Sequence, residues 1–175
     1  MRGVSATFRW FDRNLWATPL VLFVVAEVVL IPLQVRSEKG ILIEAVGKEA
    51  RGDLYSSLSG SSSGLLGFAL AAVAILAVFS PRRTVSRAAR IREENLATAG
   101  VKVIGTLLTT SLMLLAVLVV SSLGIALDSG KHGNPILGNL IFCCSLSAAI
   151  GLFLGGLGMG LSVLEKNRAD RESVA

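Results

Sequence analysis

From Val103 to Leu127 the chain reads VIGTLLTTSLMLLAVLVVSSLGIAL, with no charged residue anywhere in the run. A helix rises about 1.5 Å per residue, so this stretch exceeds the ~30 Å of hydrocarbon in a bilayer. Three further apolar blocks, Leu15 to Val35, Gly64 to Ser80 and Ile136 to Leu164, are set off from it by charged segments. A transmembrane barrel needs short alternating segments, so continuous blocks of this length leave helices as the spanning structure. The reading is an all-α polytopic membrane protein, with four transmembrane helices in one antiparallel bundle and a single domain over residues 1–175. A hydrophobic share of 53% and a mean hydropathy of +0.69 agree, being too apolar for a soluble chain of 175 residues. No internal repeat is evident.

The distribution of charge sets the expected orientation. Of 17 Lys and Arg residues, Arg2, Arg9, Arg13, Arg82, Arg83, Arg87, Arg90, Arg92, Lys102, Lys166, Arg168 and Arg171 fall in the two terminal segments and the 81–102 connection. Arg36, Lys39, Lys48, Arg51 and Lys131 fall in the other two connections, and the first four are matched there by Glu38, Glu44, Glu49 and Asp53. The positive-inside rule places the larger group in the cytoplasm, so both termini are expected inside and the chain in the cell inner (plasma) membrane. The first block follows arginines as a secretory signal would, but it is long and ends in Ile31-Pro32-Leu33-Gln34-Val35-Arg36 without a small-x-small cleavage site, which reads as a retained anchor. Neither end carries a lipidation motif.

The connections follow from their composition. Residues 8–16, where aromatics alternate with charge, suit headgroup depth. Pro19 suits the first turns of helix one, whereas Pro32 is expected to kink or end it. In the 36–63 loop, Leu42, Val46, Ala50, Leu54 and Leu58 form a weak apolar row at four-residue spacing, predicting a short surface helix, and the serine- and glycine-rich run from Ser56 to Gly64 reads as a flexible linker. In the 81–102 loop, Arg83, Arg87 and Arg90 share a helical face and, with Arg82, are the expected contacts to anionic headgroups, at about 1 kcal/mol each. A pI near 9.8 is thereby explained through topology and lipid, and nucleic acid is not expected as a partner. The compact run Asp128 to Pro135 predicts helices three and four as neighbours, and His132 within it, the one histidine of the chain, reads as solvated.

Glu27 is the most informative residue. It sits mid-way along helix one within Phe23-Val24-Val25-Ala26-Glu27-Val28-Val29-Leu30, where a charged acid costs at least ~2.5 kcal/mol and faces a partner, the bundle interior or a water path. One reading is a proton- or cation-coupled site. The other is a protonated carboxyl bonded to a hydroxyl on a neighbouring helix, with Thr106, Thr109, Thr110, Ser111, Ser121, Ser122, Ser145 and Ser147 available. Ala26-Glu27-Val28 resembles the motif around the central glutamate in the first helix of the small multidrug resistance transporters, four-helix proteins that bind protons and cationic drugs there. That resemblance implies such a role for Glu27. It covers only these residues, and the chain departs from that family in its greater length, its long outer loop and its lack of pocket aromatics.

Helix four is rich in small residues. Ser147, Gly151 and Gly155 are spaced by four, and Gly156 and Gly160 repeat the spacing on an adjacent face, a pattern that lets membrane helices approach closely. These five residues are the expected helix-packing face, where Gly151→Ile and Gly155→Ile should break a complex and spare insertion. Gly155 to Gly160 is not a phosphate loop, since no strand precedes it and no Lys-Ser/Thr pair follows. Cys143 and Cys144 are adjacent and read as soft packing residues: neighbours rarely bridge, and without histidine they do not complete a zinc site. No nucleophile–base–acid set emerges, so no enzyme, metal or cofactor is expected. The functional expectation is a non-catalytic protein acting by helix association, as an accessory or scaffolding subunit or a homo-oligomer with itself or another membrane protein as partner. The alternative is a small transporter or channel-forming protein that uses Glu27.

Overall fold

A computed structural model describes residues 14–36, 46–78, 87–128 and 133–174. After a 3-10 turn at Leu15–Ala17 come four α-helices: α1 Thr18–Arg36, α2 Lys48–Val78, α3 Arg87–Leu127 and α4 Pro135–Val174. Each contains a stretch long and apolar enough to cross a membrane, at Leu15–Gln34, Lys48–Ala77, Gly100–Leu127 and Pro135–Leu161, as a multi-pass membrane protein requires.

Helix α2 begins sixteen residues earlier than the apolar block Gly64 to Ser80 indicates, and it absorbs the Ser56–Gly64 run that reads as linker. The reason is the face it buries. Arg51, Tyr55, Ser62, Ala69 and Ala72 are buried, and Leu58, Leu66, Val73 and Leu76 pack beside them. Steps of three and four residues are the spacing of one helical stripe. Each glycine in the run costs about 1 kcal/mol relative to alanine, and that penalty is offset by docking of the stripe on α3. Of the apolar row that predicts a short surface helix, Ala50 and Leu54 are exposed and Leu58 packs against the core, while Leu42 lies outside the described residues. Pro32 does not end α1, which continues to Arg36 with the proline on its exposed side. Helix α4 opens conventionally, with Asn134 Oδ1 accepting from the Ile136 N–H at 3.0 Å and Pro135 in the first turn, where no backbone donor is needed.

Helices α3 and α4 form the centre, burying 44% and 39% of their most apolar stretches against 11% each for α1 and α2. Helix α2 docks on α3 and α1 on α4, while the 3-10 turn reaches α3. Tyr55, Val120 and Ile141 form a cluster at one end, with Leu58, Leu137 and Leu140 against it. Met113, Leu114, Val117, Cys144 and Ala148 fill the middle, and Ala72, Val103 and Leu107 the other end.

Glycines set the α3–α4 distance. A Cβ on Gly155 would stand 2.7 Å from Leu107 Cδ2 and one on Gly158 2.6 Å from Val103 Cγ2, while one on Gly151 would run into Thr110 Oγ1. The partners descend α3 as they climb α4. At the same contact Thr110 gives its hydroxyl proton to the Thr106 carbonyl at 2.7 Å, so α3 presents no unmet hydroxyl to the glycine. Its other buried hydroxyls do likewise: Thr106 donates to Lys102, Ser111 to Leu107 and Ser121 to Val117, at 2.9, 2.8 and 2.6 Å.

Candidate functional site

The seam between α1 and α4 is built from one stripe of α4. Asn139, Cys143 and Ser147 follow at four-residue spacing and all three are buried. At one end the Ser147 hydroxyl donates to the Pro19 carbonyl. At the other, Gln34 Nε2 reaches the Pro135 carbonyl at 3.4 Å. Glu27 lies between them. The Cys143 and Cys144 thiols both stand near its carboxyl. Glu27 Oε1 is buried and has no hydrogen-bond partner among the described residues, and the same holds for Asn139 Oδ1.

The neighbour of Glu27 is therefore not one of the hydroxyls available on the sequence. Thr106, Thr109, Thr110, Ser111, Ser121 and Ser122 all return to carbonyls of α3 itself. Ser147 is occupied by α1 backbone, and the buried Ser145 Oγ has no partner among the described residues. Cys143 and Cys144, read as packing residues, are both buried and unbridged, and they form the wall that the acid meets. Among the described residues no group of three or more His, Cys, Asp and Glu side chains is placed to hold a metal ion.

A second polar site closes the end of the molecule where α2 begins and α3 stops. Arg51 Nε lies 3.1 Å from Asp128 Oδ2, with the two side chains 1% and 3% exposed. The Tyr55 hydroxyl donates to the same oxygen at 2.8 Å, and Arg51 Nη1 donates to the Val46 carbonyl at 2.8 Å. The ring of Tyr55 lies against Gly124, where a Cβ would come within 3.0 Å of it. The sequence pairs Arg51 with acids of its own loop; the fold pairs it with Asp128, at the far end of α3. The available signal was the spacing of Arg51, Tyr55 and Leu58, which puts the arginine on the stripe that α2 buries.

Of the expected packing face, Ser147, Gly151 and Gly155 meet this chain's own α1 and α3, whereas Gly156 and Gly160 have nothing within 4 Å. Arg87 and Arg90 lie in the first turns of α3. Arg82, Arg83, His132 and the aromatic segment 8–13 fall outside the described residues. The Ser147 bond gives a direct test of the seam. Ser147→Ala is expected to lower stability against sodium dodecyl sulfate by about 0.6 to 1.7 kcal/mol, the range of interhelical hydrogen bonds in membranes. An unchanged unfolding midpoint would show that α1 does not depend on that bond.

No family model, no curated protein and no solved structure matches the chain.

Proposed function

We propose that the chain is a non-catalytic membrane protein that works by helix association, as an accessory or scaffolding subunit or as a homo-oligomer. In this reading it is an antiparallel four-helix bundle in the cell inner membrane with both termini cytoplasmic, its basic 81–102 segment against anionic headgroups. The observation that carries the reading is the pair of glycine rows left open. Gly60, Gly64 and Gly67 on α2, and Gly156 and Gly160 on α4, have no atom of the rest of the chain within 4 Å of where a Cβ would stand. Rows of this kind let a further helix approach closely, which is how membrane helices associate when lipid is as apolar as they are. The test is purification in mild detergent or native nanodiscs, with the mass of the intact particle and the identity of co-purifying subunits as readouts. A bare monomer would overturn the proposal.

A specific observation favours a second reading, a proton- or cation-coupled transporter: the buried, unpartnered Oε1 of Glu27 beside the Cys143 thiol. Intramembrane acids of this kind mark ion and proton paths. In that reading Glu27→Gln inserts and folds as the parent does and loses pH-dependent flux in proteoliposomes. Equal flux from the parent and the variant would remove Glu27 from any transport role.

A further inference from the structure

Four buried side-chain oxygens have no hydrogen-bond partner among the described residues: Thr18 Oγ1, Glu27 Oε1, Asn139 Oδ1 and Ser145 Oγ. All four belong to α1 and α4, whereas the buried hydroxyls of α3 are met by its own carbonyls. Two of the four share the seam. Asn139 is 6% exposed and lies one turn of α4, about 6 Å, from Cys143, whose thiol stands near the Glu27 carboxyl. Ser145 projects about 200° around α4 from Cys143, and Thr18 stands at the start of α1, past the Ser147–Pro19 bond. An unmet acceptor inside a membrane is as costly as one in a protein core, so two at neighbouring levels of one seam call for a shared donor.

The chemistry of the two atoms selects that donor. With Glu27 ionised both are acceptors, and a water molecule carries two O–H groups. Its hydrogen bonds of ~2.8 Å to either side span about 6 Å. Proton uptake forms an O–H bond at Oε1 and breaks one in that water, which regains a proton from the solvent side; the neutral carboxyl then donates to the water, and the water still donates to Asn139 Oδ1. A hard metal cation is poorly served, since calcium takes about six to eight oxygens and magnesium an octahedron of them.

The seam is also unequal at its two ends. Toward the start of α1 the Ser147 hydroxyl is bonded to the Pro19 carbonyl, and one turn further along α4 a Cβ on Gly151 would come within 3.1 Å of Pro19 Cγ. Toward the end of α1, one turn beyond Asn139, the contact is an exposed bond from Gln34 Nε2 to the Pro135 carbonyl, long at 3.4 Å.

We infer that Glu27 and Asn139 form one proton-binding site, joined by a water molecule and reached from the side of the membrane where Gln34 meets Pro135. This rests on the Glu27 reading above and names its ion, its second residue and its side of access. The ionisable groups that face Glu27 are Cys143 and Cys144 of α4; α1 between Arg13 and Arg36, α2 between Tyr55 and Val78 and α3 between Lys102 and Asp128 carry no other.

The test is infrared difference spectroscopy of the full-length protein in nanodiscs, in which the C=O band of protonated Glu27 is identified by its loss in Glu27→Gln. Transfer to heavy water shifts that band as the carboxyl proton exchanges. Exchange should slow roughly tenfold or more in Asn139→Leu, stay within about twofold of the parent in Asn139→Asp, which keeps Oδ1, and be no slower than the parent in Ser147→Ala. Should Asn139→Leu not fold, the smaller Asn139→Val removes the same oxygen. Unchanged exchange in the apolar variants would remove Asn139 from the site, and equal slowing by Ser147→Ala would overturn the side of access. A parent without a Glu27 band, across the pH range in which it stays folded, would overturn the proton site itself. The expected exchange without pH-dependent flux would keep the site and overturn the transporter reading.

Discussion

Asp128→Ala is expected to lower the stability of the folded chain by about 3 to 5 kcal/mol, because it leaves a buried guanidinium without the carboxylate that faces it. The Arg51 and Asp128 side chains are almost wholly enclosed, and Asp128 Oδ2 also accepts the Tyr55 hydroxyl. One deletion therefore strips two partners at once and loosens the start of α2 from the end of α3. Tyr55→Phe removes only the hydroxyl and should cost about 1 kcal/mol. The double variant Arg51→Met with Asp128→Leu, in which both charges are gone, should recover most of the stability lost by Asp128→Ala, since apolar replacements of buried ion pairs are often neutral. Unfolding by sodium dodecyl sulfate, followed by far-UV circular dichroism, measures all three. Equal stability of Asp128→Ala and the parent would mean that water or a loop acid solvates Arg51 and that the pair does not hold α2 in place.

Gly151→Ile should be the most damaging change within the membrane. A Cβ at that position runs into Thr110 Oγ1 and comes within 3.1 Å of Pro19 Cγ, so α4 is pinned from the α3 side and the α1 side together. Overpacking of a well-filled interior costs about 1 to 3 kcal/mol and more when backbone has to move, and here two helices have to move. The same substitution at Gly156, one residue later, meets nothing and should leave the melting temperature unchanged. Gly151→Ala combined with Thr110→Ala should regain part of the loss, because the nearest colliding atom is then absent. On the sequence alone Gly151→Ile is expected to break a complex and spare insertion; the structure turns that residue inward, so the damage falls on the monomer. A variant that melts with the parent would show that α3 and α4 can part at this level without cost.

The four membrane helices were legible because hydrocarbon thickness imposes a length and an apolarity that residues 103–127 satisfy by themselves. Helix α2 was legible only in its second half. Its first half is written in serine and glycine, and its burial depends on Tyr55 and Leu58 finding α3, a tertiary event that local composition does not record. Glu27 stood out because an acid among valines is costly wherever the helix docks. That its neighbour is Cys143 depends on the register of α1 against α4, which Pro19 and Gln34 fix at their two contacts with Ser147 and Pro135. The candidate hydroxyls of α3 were plausible on spacing and unavailable in fact, because each donates to its own i−4 carbonyl.

The Arg51–Asp128 pair also bears on the order in which the chain matures. Seventy-three residues separate Tyr55 from Asp128. Ribosomes add about 5 to 20 residues per second, so the aspartate emerges on the order of 4 to 15 s after the tyrosine that will bond it. Throughout that interval the polar first half of α2 has no docking site, since α3 is still being made. Its seat in the finished molecule is a post-insertional settlement, completed only when the second half of the chain arrives to receive the first.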